Sequence, residues 1–348
     1  MARAVLTPNL NNTSSAPKGA DVLGDAPQLD PAHCRYRILA LSGGGYRSLF
    51  TARILAKLED HIGRPLNQAF DLIAGTSIGG ILAGGLAVGI SAAKLADSLQ
   101  DRGSVIFPRT ITRQARRIFA AMYDSVPLEQ AIKDILGADY HRRMSEIDKG
   151  LLITAVNHTQ ATPCLYRSPG LTRMSVDADE VPLIDALMAT SAAPTYFAPY
   201  MVRGQRYIDG GLIANAPDLL AITQAMHCRG VQLRDCWMIS VGTVSPSLAD
   251  HADSGNMPPR NMGLARWMTT KRLFHVTLAA QEQLAVAEAR SLLGDQYLRI
   301  DPRPSHDQAK CIGLDKANET ATQTLNMLAD TSFRDAVLMK SDFLGRFY

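Results

Sequence analysis

The chain lacks any apolar run of the roughly 20 residues that a membrane-spanning helix requires. Its most continuous apolar run, from Ile78 to Ile90, is shorter and rich in glycine, which favours a buried helix. Cysteine is scarce as well. The chain has 5 cysteines, widely spaced and without a C-x-x-C pair, so we expect neither a disulfide framework nor a zinc site. This cysteine usage fits a reducing cytoplasm.

A strong charge of either sign is also missing. The net charge is +3, from 36 Lys and Arg against 33 Asp and Glu, so we expect no nucleic-acid polymer as a partner. The first residues contain no long apolar segment, and we expect no secretory signal. Residues 1–33 are rich in Pro, Asn, Ser, Gly and Asp and predict a flexible tail, whereas 34–348 predict one domain.

Two strand–turn–helix units follow one another near the start of this domain. An apolar strand at Arg35–Leu41 precedes a glycine run and a helical pattern, and a second strand at Ala69–Ala74 precedes a glycine-rich helix. This order predicts an α/β fold with a parallel sheet. We expect later strands at Leu151–Asn157, Tyr207–Asp209, Trp237–Val241 and Tyr297–Ile300. We expect later helices at Leu183–Thr190, Asp218–Cys228, Leu264–Leu293 and Asp315–Leu328, and an inserted helical cap at Leu99–Leu136.

The turn between the second strand and its helix has the pattern Gly75-x-Ser77-x-Gly79. A serine on a tight strand-to-helix turn has an exposed Oγ, and its small neighbours let the turn close and the substrate approach. The start of the helix adds a positive field where negative charge develops. The pattern is short and occurs by chance, but its place between strand and helix favours a nucleophilic serine.

The glycine run Gly43-Gly44-Gly45 follows the first strand and predicts an oxyanion hole. Consecutive glycines expose backbone N–H groups that can stabilise a tetrahedral intermediate. The alternative is a dinucleotide-binding loop, but Ser48 stands where its third glycine belongs. The acidic residue that such a loop requires about 20 positions later is also missing, so we rank that alternative lower.

Asp209 follows a short predicted strand and precedes Gly210 and Gly211. A buried carboxylate there could accept the serine proton directly, because burial raises its pKa towards neutrality. The alternatives are a solvated Asp-Gly turn and a Ser-Asp-His triad. The downstream histidines are His227, His251, His275 and His306; none has a local signature, and each is more typical of a surface or structural histidine.

Together these three elements, in this order, resemble the patatin-like phospholipase family. The segment from Ala189 to Phe197 is also similar to the family's stretch before its aspartate, and within it we interpret Ser191 as structural. The resemblance covers about Arg37 to Gly211. It implies a three-layer α/β/α fold with a mainly parallel sheet, a Ser77–Asp209 dyad, an oxyanion loop at Gly43–Gly45, and no cofactor or metal. Ser48 departs from the family's glycine at the end of that loop.

The amino-acid sequences of the two glycine motifs are similar to those of the bacterial CapV type within the family. That resemblance implies a cytoplasmic phospholipase that a cyclic dinucleotide activates during phage infection. It also implies transient contact with the inner face of the cell membrane. Candidate activator or headgroup contacts are Arg47, Arg113, Arg116 and Arg117. A solvated helix face is the alternative for the basic segment 109–119.

Two other functions stay open from the sequence. One is an ungated lipase or esterase acting on soluble esters, and the other is a non-catalytic nucleotide-binding domain.

Overall fold

The computed structural model describes residues 35–108, 120–172, 181–245 and 272–348. Within these ranges, eight strands form one sheet with the order β5-β6-β3-β2-β1-β7-β8, and β4 pairs with β3. The strands are β1 (Tyr36–Leu41), β2 (Leu72–Gly75), β3 (Gly150–Asn157), β4 (Thr162–Arg167), β5 (Tyr200–Val202), β6 (Gln205–Asp209), β7 (Cys236–Val241) and β8 (Tyr297–Ile300).

Helices lie on both faces of this sheet. In the same ranges they are α1 (Ser48–Ile62), α2 (Leu66–Ala69), α3 (Ile78–Ala87), α4 (Ala92–Ile106), α5 (Val126–Leu136), α6 (Leu183–Ser191), α7 (Gly211–Ala214), α8 (Asp218–Arg229), α9 (Arg272–Leu293), α10 (His306–Cys311) and α11 (Glu319–Leu344).

Strand β1 shows how the sequence produces the layers. Successive side chains of a strand point to opposite faces. Ile38 and Ala40 pack with α8 and α9 on one face, and Leu39 and Leu41 pack with the larger helical layer on the other. All four side chains are fully buried, which is why β1 is a nearly continuous apolar run.

The sheet has a parallel part and an antiparallel part. Strands β3, β2, β1, β7 and β8 are parallel neighbours, whereas β4, β5 and β6 pair antiparallel. The prediction of a three-layer α/β/α fold with a mainly parallel sheet is confirmed.

One edge of β3 is shared by two strands that run towards each other. β4 pairs with Leu152–Asn157 along one edge, so the partners on the other edge are β2, opposite Gly150–Ile153, and β6, opposite Ala155–Asn157. Gly75 ends β2 and Asp209 ends β6. The carboxyl ends of these two strands therefore meet head to head.

Several predicted bounds differ from the structure. β2 begins at Leu72, because Ala69 ends α2, and Phe70 and Asp71 link that helix to the strand. β4 and β5 were not predicted. The last helix runs from Glu319 to Leu344 and so is longer than the predicted Asp315–Leu328. Residues 264–271 of the predicted long helix lie outside the described ranges, as does the predicted tail at 1–33.

The predicted cap begins inside a helix that belongs to the main helical layer. Leu99 is a buried residue of α4, and α4 packs against α1 and α5. The predicted boundary at Leu99 therefore lies in the middle of α4, and the cap itself stays a prediction. Part of the predicted cap, at 109–119, lies outside the described residues. In the part of the chain that the structure describes, no helix combines the length and apolar character needed to cross a bilayer.

Close packing between α3 and the loop after β1 gives a stability prediction. A Cβ at Gly79 would lie 2.5 Å from the Ser42 carbonyl oxygen and 2.6 Å from that of Leu41, both backbone atoms. We expect Gly79→Ala to lower the free energy of unfolding by about 1–3 kcal/mol, despite the better helix propensity of alanine. Urea unfolding measures this change.

Gly84→Ala is the matched control on the same helix. Its Cβ would lie 3.0 Å from Cδ2 of Leu187, a flexible methyl group that can move. We expect this control to stay within about 1 kcal/mol of the parent protein. Equal stabilities of the two variants would contradict the packing argument.

Candidate active site

Ser77 lies on the tight turn between β2 and α3. Its backbone has φ 55° and ψ −131°, a conformation that a non-glycine residue adopts only under constraint. The turn is held by the Ser77 amide, which donates to Thr190 Oγ1 at 2.8 Å. The Gly80 amide also donates to the Ser77 carbonyl at 2.8 Å. The geometry is that of a nucleophile elbow.

Asp209 lies beside this serine at the end of β6. Ser77 Oγ donates a hydrogen bond to Asp209 Oδ2 at 2.7 Å, and the Gly211 amide donates to Asp209 Oδ1 at 2.6 Å. The Asp209 amide donates to the Ala192 carbonyl at 3.0 Å. The side chains that the sequence predicted to form a dyad, 132 residues apart, are thus in direct contact.

The environment of Asp209 changes its acidity. The residue is only 4% exposed. Burial raises the pKa of this carboxyl to about 6, against an ordinary 3.8, and the hydrogen bonds from Ser77 and Gly211 oppose that rise. A carboxylate with a pKa near neutrality is well suited to accept and return a proton.

The glycine loop lies next to the same point, but its three amides differ. The Gly43 amide donates to the Asn215 carbonyl at 2.9 Å, so it is already used. Within the described residues, the amides of Gly44 and Gly45 have no such partner, and both residues line the cleft. The oxyanion loop at Gly43–Gly45 stays a prediction, and in this structure Gly44 and Gly45 are the members of the loop whose amides are left to donate.

Arg47 also lines the cleft, beside the glycine loop. Its Nε lies 3.5 Å from the Gly44 carbonyl oxygen. Burial lowers the pKa of this guanidinium, and nearby Glu282 and Asp301 oppose that change. Ser48, which replaces the family's glycine, begins α1 and is fully buried. The other predicted arginine contacts, Arg113, Arg116 and Arg117, lie outside the described residues.

The cleft around Ser77 and Asp209 has a volume of about 350 Å³, within the usual range for ligand pockets. Its apolar lining comes from Ile78, Phe107, Ala193, Tyr196, Phe197, Leu278, Ala279, Ile312 and Leu314. Phe107 packs against Phe197, with ring centroids 6.2 Å apart, and edge-on against Tyr123 at 5.7 Å. The cleft therefore joins a polar reacting centre to an aromatic wall.

Among the described residues, no histidine lies between Ser77 and Asp209 as it would in a Ser-Asp-His triad, because the two side chains are directly hydrogen-bonded. Among the predicted candidates, His275 lines the cleft, whereas His227 and His306 do not. His251 lies outside the described residues. In the part of the chain that the structure describes, no group of three or more His, Cys, Asp or Glu side chains is arranged to hold a metal ion.

Several polar residues of this site were not predicted from the sequence, among them Thr190, Asn215 and Glu282. Thr190 lies in the segment that resembles the family, and Asn215 lies six residues after Asp209, so their neighbourhood gave a signal. Glu282 lies on α9 at a position typical of a solvated helix, although it is 7% exposed. Only the tertiary structure brings it to the cleft.

Comparison with known proteins agrees with this geometry. The family model described as patatin-like phospholipase matches residues 39–222. The chain belongs to the patatin-like phospholipase family. Its members are lipid acyl hydrolases, and the matched range contains Gly43–Gly45, Ser77 and Asp209.

The relatives are similar over nearly the whole chain. A protein from Escherichia coli (strain TW11681), named cGAMP-activated phospholipase, is 32% identical over 89% of this chain and 93% of its own length. A protein of the same name from Vibrio cholerae is 32% identical over 86% and 90%. Among solved structures, VipD from Legionella pneumophila aligns with a TM-score of 0.39 and 12% identity, over 85% of this chain and 67% of that one.

The buried carboxylate gives a second prediction. The Asp209 carboxyl binds its proton more tightly in the folded protein, with a pKa of about 6, than its ordinary pKa of 3.8 implies for the unfolded chain. Protonation therefore stabilises the folded state. This contribution is fully present below about pH 4 and is lost as the pH rises through 6. The difference corresponds to about 3 kcal/mol. We expect Asp209→Asn, which is neutral at every pH, to be more stable than the parent at pH 7.5 by up to that amount.

Urea unfolding at pH 7.5 and pH 4 measures this effect, and the gain should shrink at the lower pH. Asp335→Asn, an exposed position on α11, is the control and should change little at either pH. A pH-independent gain for Asp209→Asn would contradict the desolvation argument.

Proposed function

We propose that this protein cleaves fatty-acyl ester bonds of membrane phospholipids with Ser77 as the nucleophile and Asp209 as its base. The observation that carries the proposal is the 2.7 Å hydrogen bond from Ser77 Oγ to Asp209 Oδ2 on a constrained turn. Family membership supports phospholipid hydrolysis as the reaction.

Acylation follows from the positions of these groups. Ser77 Oγ attacks the ester carbonyl carbon while its proton passes to Asp209. The Gly44 and Gly45 amides donate to the developing oxyanion, with the amino-terminal end of α3 directed at the same point. The carbon–oxygen bond to the glycerol side then breaks, and the leaving alcohol takes the proton from Asp209.

Deacylation uses the same groups in reverse. Water attacks the acyl-enzyme and gives a proton to Asp209, Ser77 recovers its proton, and a fatty acid leaves. The apolar wall at Phe107 and Phe197 suits the acyl chain. The Arg47 guanidinium suits the phosphate of a headgroup, because arginine binds phosphate oxygens through paired N–H groups.

The proposal includes activation by a cyclic dinucleotide. Its support is the name cGAMP-activated phospholipase, carried by relatives that align with most of this chain. With the resemblance to the bacterial type, we extend it to a role in anti-phage defence at the inner face of the cell membrane. The predicted contacts at 109–119 remain part of this proposal.

Replacing the nucleophile tests the reaction. We expect Ser77→Ala to lower fatty-acid release from phospholipid vesicles by at least about 10³-fold, because the acyl-enzyme can no longer form. Ser341→Ala, an exposed serine on α11, is the matched control and should retain parental activity. Unchanged turnover in Ser77→Ala would rule out the serine mechanism, whereas absence of turnover in the parent protein would favour the nucleotide-binding alternative.

A cyclic-nucleotide panel tests the activation. With phospholipid vesicles as substrate, we expect one cyclic dinucleotide to raise fatty-acid release at least about tenfold. The same ligand should raise the Tm of Ser77→Ala, since a ligand that binds only the folded state stabilises it whether or not catalysis occurs. High basal activity that no cyclic nucleotide changes, with no shift in Tm, would refute gating. Activity confined to soluble esters would favour the esterase alternative.

A further inference from the structure

The direction of the Gly44 amide is set by the carbonyl of the preceding residue. A peptide group is planar and trans, so the Gly43 C=O and the Gly44 N–H belong to one rigid unit and point in opposite directions. The Gly43 carbonyl accepts from Asn215 Nδ2 at 3.1 Å and lies 3.5 Å from Thr243 Oγ1. Whatever holds this carbonyl therefore aims the Gly44 amide.

Asn215 forms hydrogen bonds with both the amide and the carbonyl of Gly43. Its backbone carbonyl accepts from the Gly43 amide at 2.9 Å, while its side chain donates to the Gly43 carbonyl. The same Nδ2 donates its second hydrogen to Glu282 Oε2 at 2.7 Å. Asn215 is 5% exposed, so an amide rotated away from these partners would lose hydrogen bonds that water cannot replace.

Glu282 is in turn held by a buried arginine. Its Oε1 accepts from Arg299 Nη2 at 2.7 Å. The Arg299 side chain, 5% exposed, also donates to Ser42 Oγ at 2.9 Å and to Asp301 Oδ2 at 2.7 Å. Ser42, which precedes the glycine loop, and Gly43, its first residue, are thus hydrogen-bonded into one network that contains buried charges.

We infer that Asn215, Glu282 and Arg299 form a positioning relay that aims the Gly44 amide at the oxyanion of the ester hydrolysis. The inference rests on the proposed function, because only that reaction places an oxyanion beside this amide. Glu282 and Arg299 lie on α9 and β8, beyond the family match at 39–222. The C-terminal part of the chain therefore contributes to the reacting centre without touching the substrate ester.

A purely structural ion pair is the competing explanation. Buried ion pairs often contribute little net stability, because desolvation offsets their attraction. The relay differs in its geometry, since its chain of hydrogen bonds ends on the Gly43 carbonyl, in the loop that carries the oxyanion donor. The two explanations therefore differ in what they predict for binding of the transition state.

Glu282→Gln tests the relay with little change of shape. The substitution replaces one carboxylate oxygen with an NH2 group. Asn215 and Arg299 both donate to this side chain, so one of them must then face another donor, and the hydrogen bond at that point is lost. Arg299 keeps Asp301 as a partner, and the variant should fold. Glu288→Gln is the matched control, the same substitution at an exposed position of the same helix. All variants are assayed on vesicles under the conditions that give maximal parental activity.

We expect Glu282→Gln to lower kcat about 10- to 100-fold with KM within about threefold, because the relay aims a donor that acts in the transition state. The inhibition constant of a long-chain trifluoromethyl ketone, which forms a tetrahedral oxyanion with the serine, should rise by a similar factor. The control should match the parent protein in all three measurements.

A parental kcat in folded Glu282→Gln, or a loss of kcat with unchanged inhibitor affinity, would overturn the relay. If that variant does not fold, Asn215→Asp tests the relay instead. Its carboxylate places an oxygen where the Asn215 Nδ2 donates to the Gly43 carbonyl, so we expect the same losses of kcat and inhibitor affinity. Full activity in Ser77→Ala would refute the proposed function itself. A dead Ser77→Ala beside a fully active relay variant would refute only the relay.

Discussion

The head-to-head meeting of β2 and β6 along one edge of β3 is the constraint on which the site depends. The pairing of Gly75 with Ile153 and of Asp209 with Ala155 leaves a gap of one residue, Thr154, on β3. Ser77 and Asp209 must then lie close together. A slip of β6 by one residue would turn the carboxylate to the other face of the sheet, since side chains alternate along a strand.

This arrangement costs stability in two places. Ser77 holds a positive φ, and within the described ranges buried Asp209 has no cationic partner among its hydrogen-bonding groups. Both are unfavourable locally and persist because the surrounding structure holds them. In the proposed mechanism both also serve the chemistry, because the turn exposes the Ser77 hydroxyl and burial brings the carboxyl pKa near neutrality. Optimising either residue for stability alone would remove a feature that the reaction uses.

The sequence predicted the parts of the site that depend on local patterns. The strand before Ser77, the turn and the glycine-rich helix are neighbours in the chain, so their order alone indicates the elbow. The start of β2 was misplaced because the apolar residues Ala69, at the end of α2, and Phe70, just after it, resemble the start of a strand. β4 and β5 escaped prediction because half-exposed residues such as Cys164 and Tyr200 interrupt their apolar pattern.

Contacts between distant segments could not be predicted in the same way. Gly43 is 172 residues from Asn215, and Asn215 is 67 residues from Glu282. A glutamate on an amphipathic helix is usually solvated, and no local pattern distinguishes Glu282 from Glu288. The hydrogen bond from the Gly43 amide to the Asn215 carbonyl could not be predicted for the same reason. Three adjacent glycines look equivalent in the sequence, and their hydrogen-bond partners make them different.

The distribution of these contacts along the chain indicates how the site is built. The groups of the proposed reaction and the glycine loop lie within 39–222, but the groups that hold the loop come largely from later segments. Thr243 and Arg299 contact its first residues, and the Leu314 carbonyl accepts from the Tyr46 amide at 2.8 Å. A donor must point at the oxyanion before charge develops in order to stabilise it without reorganisation. In the proposed mechanism the C-terminal segments supply that preorganisation, so displacement of α9 or β8 would alter the oxyanion donors.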